Sequence, residues 1–204
     1  MISRIFLLIW LLLFGLIGCT VRQPLAPELA QTALTTAWHA EQHVVWEIEW
    51  SAMPVGGPLT VETWRASGRH RIEILESAAP HLVGETLIFD GQHAWRYNRF
   101  DAEPPAMGST PWLAPVSEAF AMIRAMINTP ADTATQSTVH LSHGPARRIT
   151  LTYNNNDRLT FWIDQETQLP ARVFIAAGRN RVNLKARSFE ILVDPPAGLF
   201  KPDL

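Results

Sequence analysis

The sequence has a single cysteine, so it holds neither an intramolecular disulfide nor a zinc site built on cysteines. It has no excess of positive charge either: 17 Lys and Arg stand against 19 Asp and Glu, for a net charge of −2. No electropositive field is then present to hold a phosphate backbone, which excludes nucleic acid as a natural partner and disfavours a membrane surface bound by charge alone. Its apolar run from Ile5 to Ile17 has 13 residues, too few for a bilayer span, which takes about 20. Gly-x-Ser-x-Gly elbows, phosphate-cradling glycine loops and dinucleotide fingerprints are missing, as are internal repeats and low-complexity tracts. What is present is the composition of one folded domain, 204 residues that are 47% apolar and 18% charged.

The one cysteine, Cys19, sits in an informative place. Arg4 is a small basic head, and the apolar run behind it has the length of a signal-peptide core. Leu16-Ile17-Gly18-Cys19 then resembles the lipobox of bacterial lipoproteins. That resemblance implies that residues 1–18 are a signal peptide cleaved before Cys19, and that Cys19 is acylated. The alternatives are an ordinary secretory signal with an incidental cysteine, or an uncleaved anchor. Acyl chains contribute about 0.8 kcal/mol per buried methylene, so two or three of them hold a protein on a membrane without a transmembrane helix. The expected location is extracytoplasmic, lipid-anchored to the cell membrane or outer membrane; Thr20, in place of aspartate, points to the outer membrane in a cell that has one. Residues 19–28, with Pro24 and Pro27, read as an extended tether of roughly 25–30 Å, ahead of a domain over 29–204.

Glu28 to His43 is predicted helical, because Leu29, Ala33, Leu34, Ala37 and Trp38 recur at spacings of three and four. The period then changes to two: Val44, Trp46, Ile48 and Trp50 point one way, and Val45, Glu47, Glu49 and Ser51 the other. Further strands are expected at Leu59 to Ala66, Arg69 to Glu76, Glu85 to Asp90 and His93 to Arg99, with turns at Pro54 to Pro58, Ser67-Gly68 and Asp90-Gly91. After a second helix, capped by Ser109 or Thr110, entered through Pro111 and striped with Val116, Phe120, Ile123 and Ile127, come strands at Gln136 to Ser142, Ala146 to Tyr153, Arg158 to Asp164, Ala171 to Ala177 and Arg181 to Val193. Asp101 to Gly108 and Pro130 to Thr135, rich in Pro, Ala and Thr, read as mobile connections. The fold class is α+β, mainly β: about ten antiparallel strands in a sheet that must curl, close or be covered. Two helices are a small cover for such a sheet. Trp38, Trp46, Trp50, Trp95 and Trp112 either fill a solid core or line a cavity.

The order of these elements carries a resemblance. Arg65 to Glu73, then Phe89-Asp90-Gly91-Gln92-His93-Ala94-Trp95-Arg96-Tyr97, then Asp164 to Arg172 with its Leu169-Pro170, and finally Asp194 to Pro202 resemble the bacterial lipoprotein-localisation superfamily. That group comprises LolA-like carriers, LolB-like receptors, mycobacterial lipid-binding lipoproteins and the RseB-type regulators. The resemblance implies a curved antiparallel half-barrel with helices covering a concave face that binds acyl chains. One departure is that Ser67-Gly68 stands where many carriers have Arg-Pro, so the family's arginine near the lid has two nearby counterparts, Arg65 and Arg69, and the resemblance does not choose between them.

The implied function is a membrane-anchored lipoprotein that binds or carries acyl chains of lipids or lipoproteins, with no enzymatic chemistry and no cofactor. The residues expected to line its cavity are Trp46, Ile48, Trp50, Val61, Ile72, Ile74, Phe89, Trp95 and Phe161, with Trp112, Leu113 and Phe120 from the lid. The alternative is an envelope-stress or regulatory module of the RseB kind, binding a membrane protein partner. His39 and His43 stand at i, i+4 on the predicted first helix, and solvated helix-face histidines account for them more simply than a metal does, because Glu41 is not where a zinc-protease helix places its glutamate. His140 and His143 fall on opposite faces of one strand. Arg147, Arg148 and the basic residues from Arg179 to Arg187 either meet lipid head groups or, more simply, are alternate outward positions on solvated strand edges.

Overall fold

A computed structural model describes residues 22–51, 57–100, 106–107 and 114–201. In chain order the elements are β1 (Gln23–Leu25), α1 (Pro27–His39), β2 (Gln42–Trp50), β3 (Leu59–Ala66), β4 (Arg69–Glu76), β5 (Glu85–Phe89), β6 (Ala94–Asn98), β7 (Ala106–Met107), α2 (Ala114–Asn128), β8 (Thr133–Leu141), β9 (Gly144–Thr152), β10 (Arg158–Asp164), β11 (Pro170–Ala177) and β12 (Asn180–Ile191). The strands make one antiparallel sheet in the order β1-β8-β9-β10-β11-β12-β2-β3-β4-β5-β6-β7. β1 and β7 lie at opposite edges, so the sheet stays open and curls into a half-barrel. The two halves of the chain meet where β12 pairs with β2, from Val182 opposite Trp50 to Ile191 opposite Gln42.

The expected strands form, and two short ones join them. β1 and β7 are three and two residues long, too short to show a period, and β1 carries Pro24, which only an edge strand tolerates. β1 lies inside the segment expected as tether and pairs with β8, Gln23 opposite Gln136. The chain is therefore bound to the sheet edge from Gln23 onward, and the helix begins at Pro27.

α1 ends at His39, four residues before the predicted end. The helical spacing of apolar residues stops at Trp38, and from Gln42 the two-residue period takes over, with Gln42, Val44, Trp46 and Ile48 all buried on one face. The Gln42 side chain donates back to the Trp38 carbonyl at 3.3 Å, which fixes the corner between helix and strand. At the β3–β4 hairpin Ser67 and Gly68 both take positive φ, 50° and 76°, the pair a tight two-residue turn requires.

Both helices lie on the inner face of the sheet. α1 buries Ala30, Leu34, Ala37 and Trp38, and α2 buries Val116, Ala119, Phe120, Ile123 and Ile127, against Ile149, Leu151, Leu159, Phe161, Val173, Ile175, Val182 and Leu184 of the sheet. The outer face carries a second, smaller cluster: Ala66, Ile88 and Phe200, with Trp64, Trp95, Tyr97, Leu192 and Leu199 packed around them. The end of the chain thus folds back over β3, β5 and β6. Among the described residues, no helix is long and apolar enough to cross a membrane.

Candidate functional site

The inner face is sealed at one end and hollow at the other. Over β9 to β12 the helices leave no space: Ile149, Leu151, Leu159, Phe161, Val173, Ile175, Val182 and Leu184 are each 0% exposed. Trp38 stands at the boundary. Its ring meets Phe161 at 6.0 Å and Phe120 at 5.4 Å, both edge-on, and Trp46 at 6.4 Å. Beyond Trp38, over β2 to β5, a partly enclosed cavity of about 650 Å³ opens, within the range of roughly 300–1,000 Å³ that small-ligand pockets occupy.

Strand register builds the wall of that cavity in rows. Nearest the β3–β4 hairpin, Gln42, Arg65, His70 and Phe89 lie side by side across β2, β3, β4 and β5. The next row is Val44, Thr63, Ile72 and Leu87, of which all but Val44 line the cavity. In the one after it, Trp46, Val61 and Ile74, only Trp46 reaches the lining while the other two pass into the packed core. The wall therefore grades from polar and basic to wholly apolar within three rows. From the helical side Trp38, Ser117, Phe120 and Arg124 complete the lining.

Electrostatically the cavity is positive. Arg65 lies with its guanidinium carbon 5.2 Å from the Trp38 ring centre, a cation–π contact, and its Nη1 is buried without a hydrogen-bond partner. Burial first, and the nearby Arg124 second, bring Arg65 down to about 10, so it keeps its charge at neutral pH. His70, stacked on Phe89 at 5.1 Å, is pushed down to about 4 by burial and then by Arg65 and Arg124. His39 is lowered by the same three causes in the same order. The acid on the lining, Glu41, accepts from the backbone N–H and hydroxyl of Ser67 at 2.8 and 3.0 Å and so is turned to the hairpin.

Of the residues expected to line a cavity, the structure brings Trp46, Ile72, Phe89 and Phe120 to it. Ile48, Val61, Ile74 and Phe161 face the same way but lie within the packed core, not on the cavity lining. Trp50, at the far end of β2, lines a separate and more open groove of about 660 Å³. Trp95 is opposite Ile88, one residue out of phase with Phe89, and so belongs to the outer-face cluster. Cys19, Trp112 and Leu113 lie outside the described residues.

Among the residues not foreseen as lining are Arg65, Arg124, His70, Gln42, Thr63 and Leu87, and Arg69 and Arg71 border the cavity as well. The two-residue period that assigned Val61 inward also assigns Thr63 and Arg65 inward, and Arg124 follows Phe120 by four on α2. An arginine at an inward position was the available signal. Both arginines beside the hairpin border the cavity, with different partners: Arg65 lies over the Trp38 ring, and Arg69 lies 4.8 Å from the Phe200 ring.

The two histidines expected on one helix face are separated by the fold. His39 ends α1 and His43 lies on β2, so the two share no helix face. His43 is stacked on Trp64 at 5.1 Å, with Glu62 and Glu190 each 2.7 Å from one ring nitrogen. Among the described residues no group of three or more His, Cys, Asp or Glu is arranged to hold a metal ion. On the outer face Arg187, at a bulge in β12, pairs with Glu47 and Glu76 at 3.3 and 2.9 Å.

No family model and no curated protein matches the sequence. Solved structures do match its fold. MucB is similar with a TM-score of 0.58 at 11% identity, over 86% of this chain and 62% of the MucB chain. The fold is shared with MucB. The MucA/MucB complex of Pseudomonas aeruginosa gives a TM-score of 0.54 at 12% identity, over 86% of this chain and 60% of the other. This chain thus spans somewhat less than two thirds of MucB. A conserved protein of Thermus thermophilus is similar with a TM-score of 0.55 at 12% identity, over 85% of this chain and 91% of that one. The half-barrel that the lipoprotein-localisation resemblance implied is the fold found.

Proposed function

We propose that this protein is an envelope lipoprotein, held to a membrane by acylated Cys19, whose half-barrel binds the acyl chain of a lipid or of another lipoprotein in the cavity over β2 to β5. The observation that carries this reading is the incomplete cover of the inner face: Ile72, Leu87, Phe89, Trp46 and Phe120 border a space of about 650 Å³ that the protein's own helices leave unfilled. An apolar wall beside a void loses the dispersion contacts that a packed neighbour would supply. A hydrocarbon chain restores them, and each methylene buried contributes about 0.8 kcal/mol before the cost of ordering the chain. Binding and release then need no covalent step, and no residue is assigned a catalytic part.

Native mass spectrometry of the full chain, recovered from membranes in gentle detergent, tests this reading. The expected spectrum shows a non-covalent amphiphile on the protein; a spectrum with covalent acylation alone contradicts it. The likeness to MucB, solved in complex with MucA, supports a second reading, an envelope module that binds a membrane protein. Co-purification of one defined membrane protein with an empty cavity favours that second reading.

A further inference from the structure

The cavity's apolar wall says that a chain enters, and its polar row says what kind of head the chain carries. Arg65 is a charged group largely removed from water, and among the described residues no carboxylate pairs with it. Its contacts are the Trp38 face and, across the strands, Gln42 and His70. A guanidinium buried without a counterion is costly, and the cost is recovered only when an anion completes it. Arg124 lines the same cavity from α2, so cations face this space from both the sheet and the helix. Of the other two arginines on the lining, Arg71 is paired with Glu73 at 3.1 Å and Arg69 lies over the Phe200 ring. The lining's acid, Glu41, is bonded to Ser67 and leaves that charge uncompensated. Directly beneath this row the wall turns apolar, with Ile72 and Leu87. Charge and grease are therefore stacked in the order of an amphiphile, head at the hairpin end and tail toward Trp46.

We infer that the ligand is an anionic amphiphile, its carboxylate or phosphate head held by Arg65 and Arg124 while its chain lies along Ile72, Leu87 and Trp46. A guanidinium matches both head groups because its planar N–H pairs meet two oxygens at once. The inference rests on the acyl-chain reading above and narrows it: a neutral lipid or a neutral lipid-modified peptide would leave Arg65 unpaired.

The test uses the full chain in non-ionic detergent and three probes with the same mid-chain dibrominated tail, ending in a carboxylate, a phosphate monoester or an alcohol. Bromine quenches Trp38 and Trp46 on contact, so tryptophan emission reports occupancy. Native protein is expected to bind the carboxylate, the phosphate or both about tenfold more tightly than the alcohol, the effect of one charge-assisted pair. Which of the two anions binds better identifies the head group. Arg65→Met and Arg124→Ala are expected to bring that preference down to about twofold, and Arg148→Met on the outer face to leave it intact. Arg124 is exposed on α2, so its variant tests the idea even where Arg65→Met fails to fold. Equal binding of all three tails to the native protein overturns the head-group inference and leaves the acyl-chain reading standing. Quenching by none of them overturns both.

Discussion

The two ends of the inner face are made from the same sheet, yet one is a packed core and the other borders a cavity. Over β9 to β11 the inward positions are Ile149, Leu151, Leu159, Phe161, Val173 and Ile175, each sealed beneath α1 and α2. Over β4 and β5 the inward positions nearest the hairpin, His70, Leu87 and Phe89, are only half-buried, and burial returns along β4 at Ile72 and Ile74. The difference lies in the reach of the helices. α1 and α2 pack against one another and against β8, β9 and β10, and their last large side chains in that direction, Trp38 and Phe120, form the cavity's inner wall. Close packing is therefore concentrated at one end, and the other holds the cavity proposed to take the ligand, with Arg65 beside it.

That contrast can be broken by mutation. The largest effect on stability is expected at the packed end: Phe161→Ala removes a fully buried ring that meets Trp38 and should cost about 3–5 kcal/mol in urea unfolding. Phe89→Ala at the open end should cost less than half as much stability, because the ring is only half-buried, while weakening amphiphile binding roughly tenfold in the quenching titration. If the two substitutions cost equal stability, the ends do not differ as described. Arg65→Met exchanges a buried, unpaired charge for an apolar side chain of similar length, and the ligand-free protein should be unchanged or up to about 1 kcal/mol more stable. A loss of several kcal/mol would mean that Arg65 supports the fold instead of serving the site.

The most specific effect is on acid stability. His70 in the folded protein is pushed down to about 4 by burial, Arg65 and Arg124, against 6.5 for the unfolded chain. Between those values the unfolded state binds more protons, so stability should fall as pH is lowered from about 6.5 toward 4. His70→Gln should flatten that slope. A bound anion would also flatten it, by opposing the repulsion from the two arginines.

Much of this architecture was legible in residue order. The alternation from Gln42 to Trp50, the Ser67-Gly68 turn and the stripe of α2 each follow from local periodicity and turn chemistry, and the twelve-stranded half-barrel contains the expected strands within a few residues. β1 and β7 were not legible, because strands of two and three residues take their form from an edge partner and not from their own pattern. The site was legible in part for a related reason. Periodicity states which face a side chain takes, so Trp46, Ile72 and Phe89 were placed inward correctly. It does not state where a helix stops covering that face, and so Ile48, Val61, Ile74 and Phe161 could not be told apart from cavity residues. Trp95 shows the other weakness: across the Asp90 to His93 turn, where the Asp90 carboxylate binds the backbone N–H groups of Gln92 and His93 at 2.8 and 2.7 Å, the phase of the next strand depends on the turn.

Photo-crosslinking tests the contrast between the two ends most directly. The full chain would be exposed to a fatty acid carrying a diazirine in mid-chain, and the adducts mapped by peptide mass spectrometry. Adducts are expected on the segments bearing Arg65 to Ile72, Leu87 to Phe89 and Phe120 to Arg124, and not on β10 or β11. Labelling spread over the outer face, or absent from β4 and β5, would contradict the account.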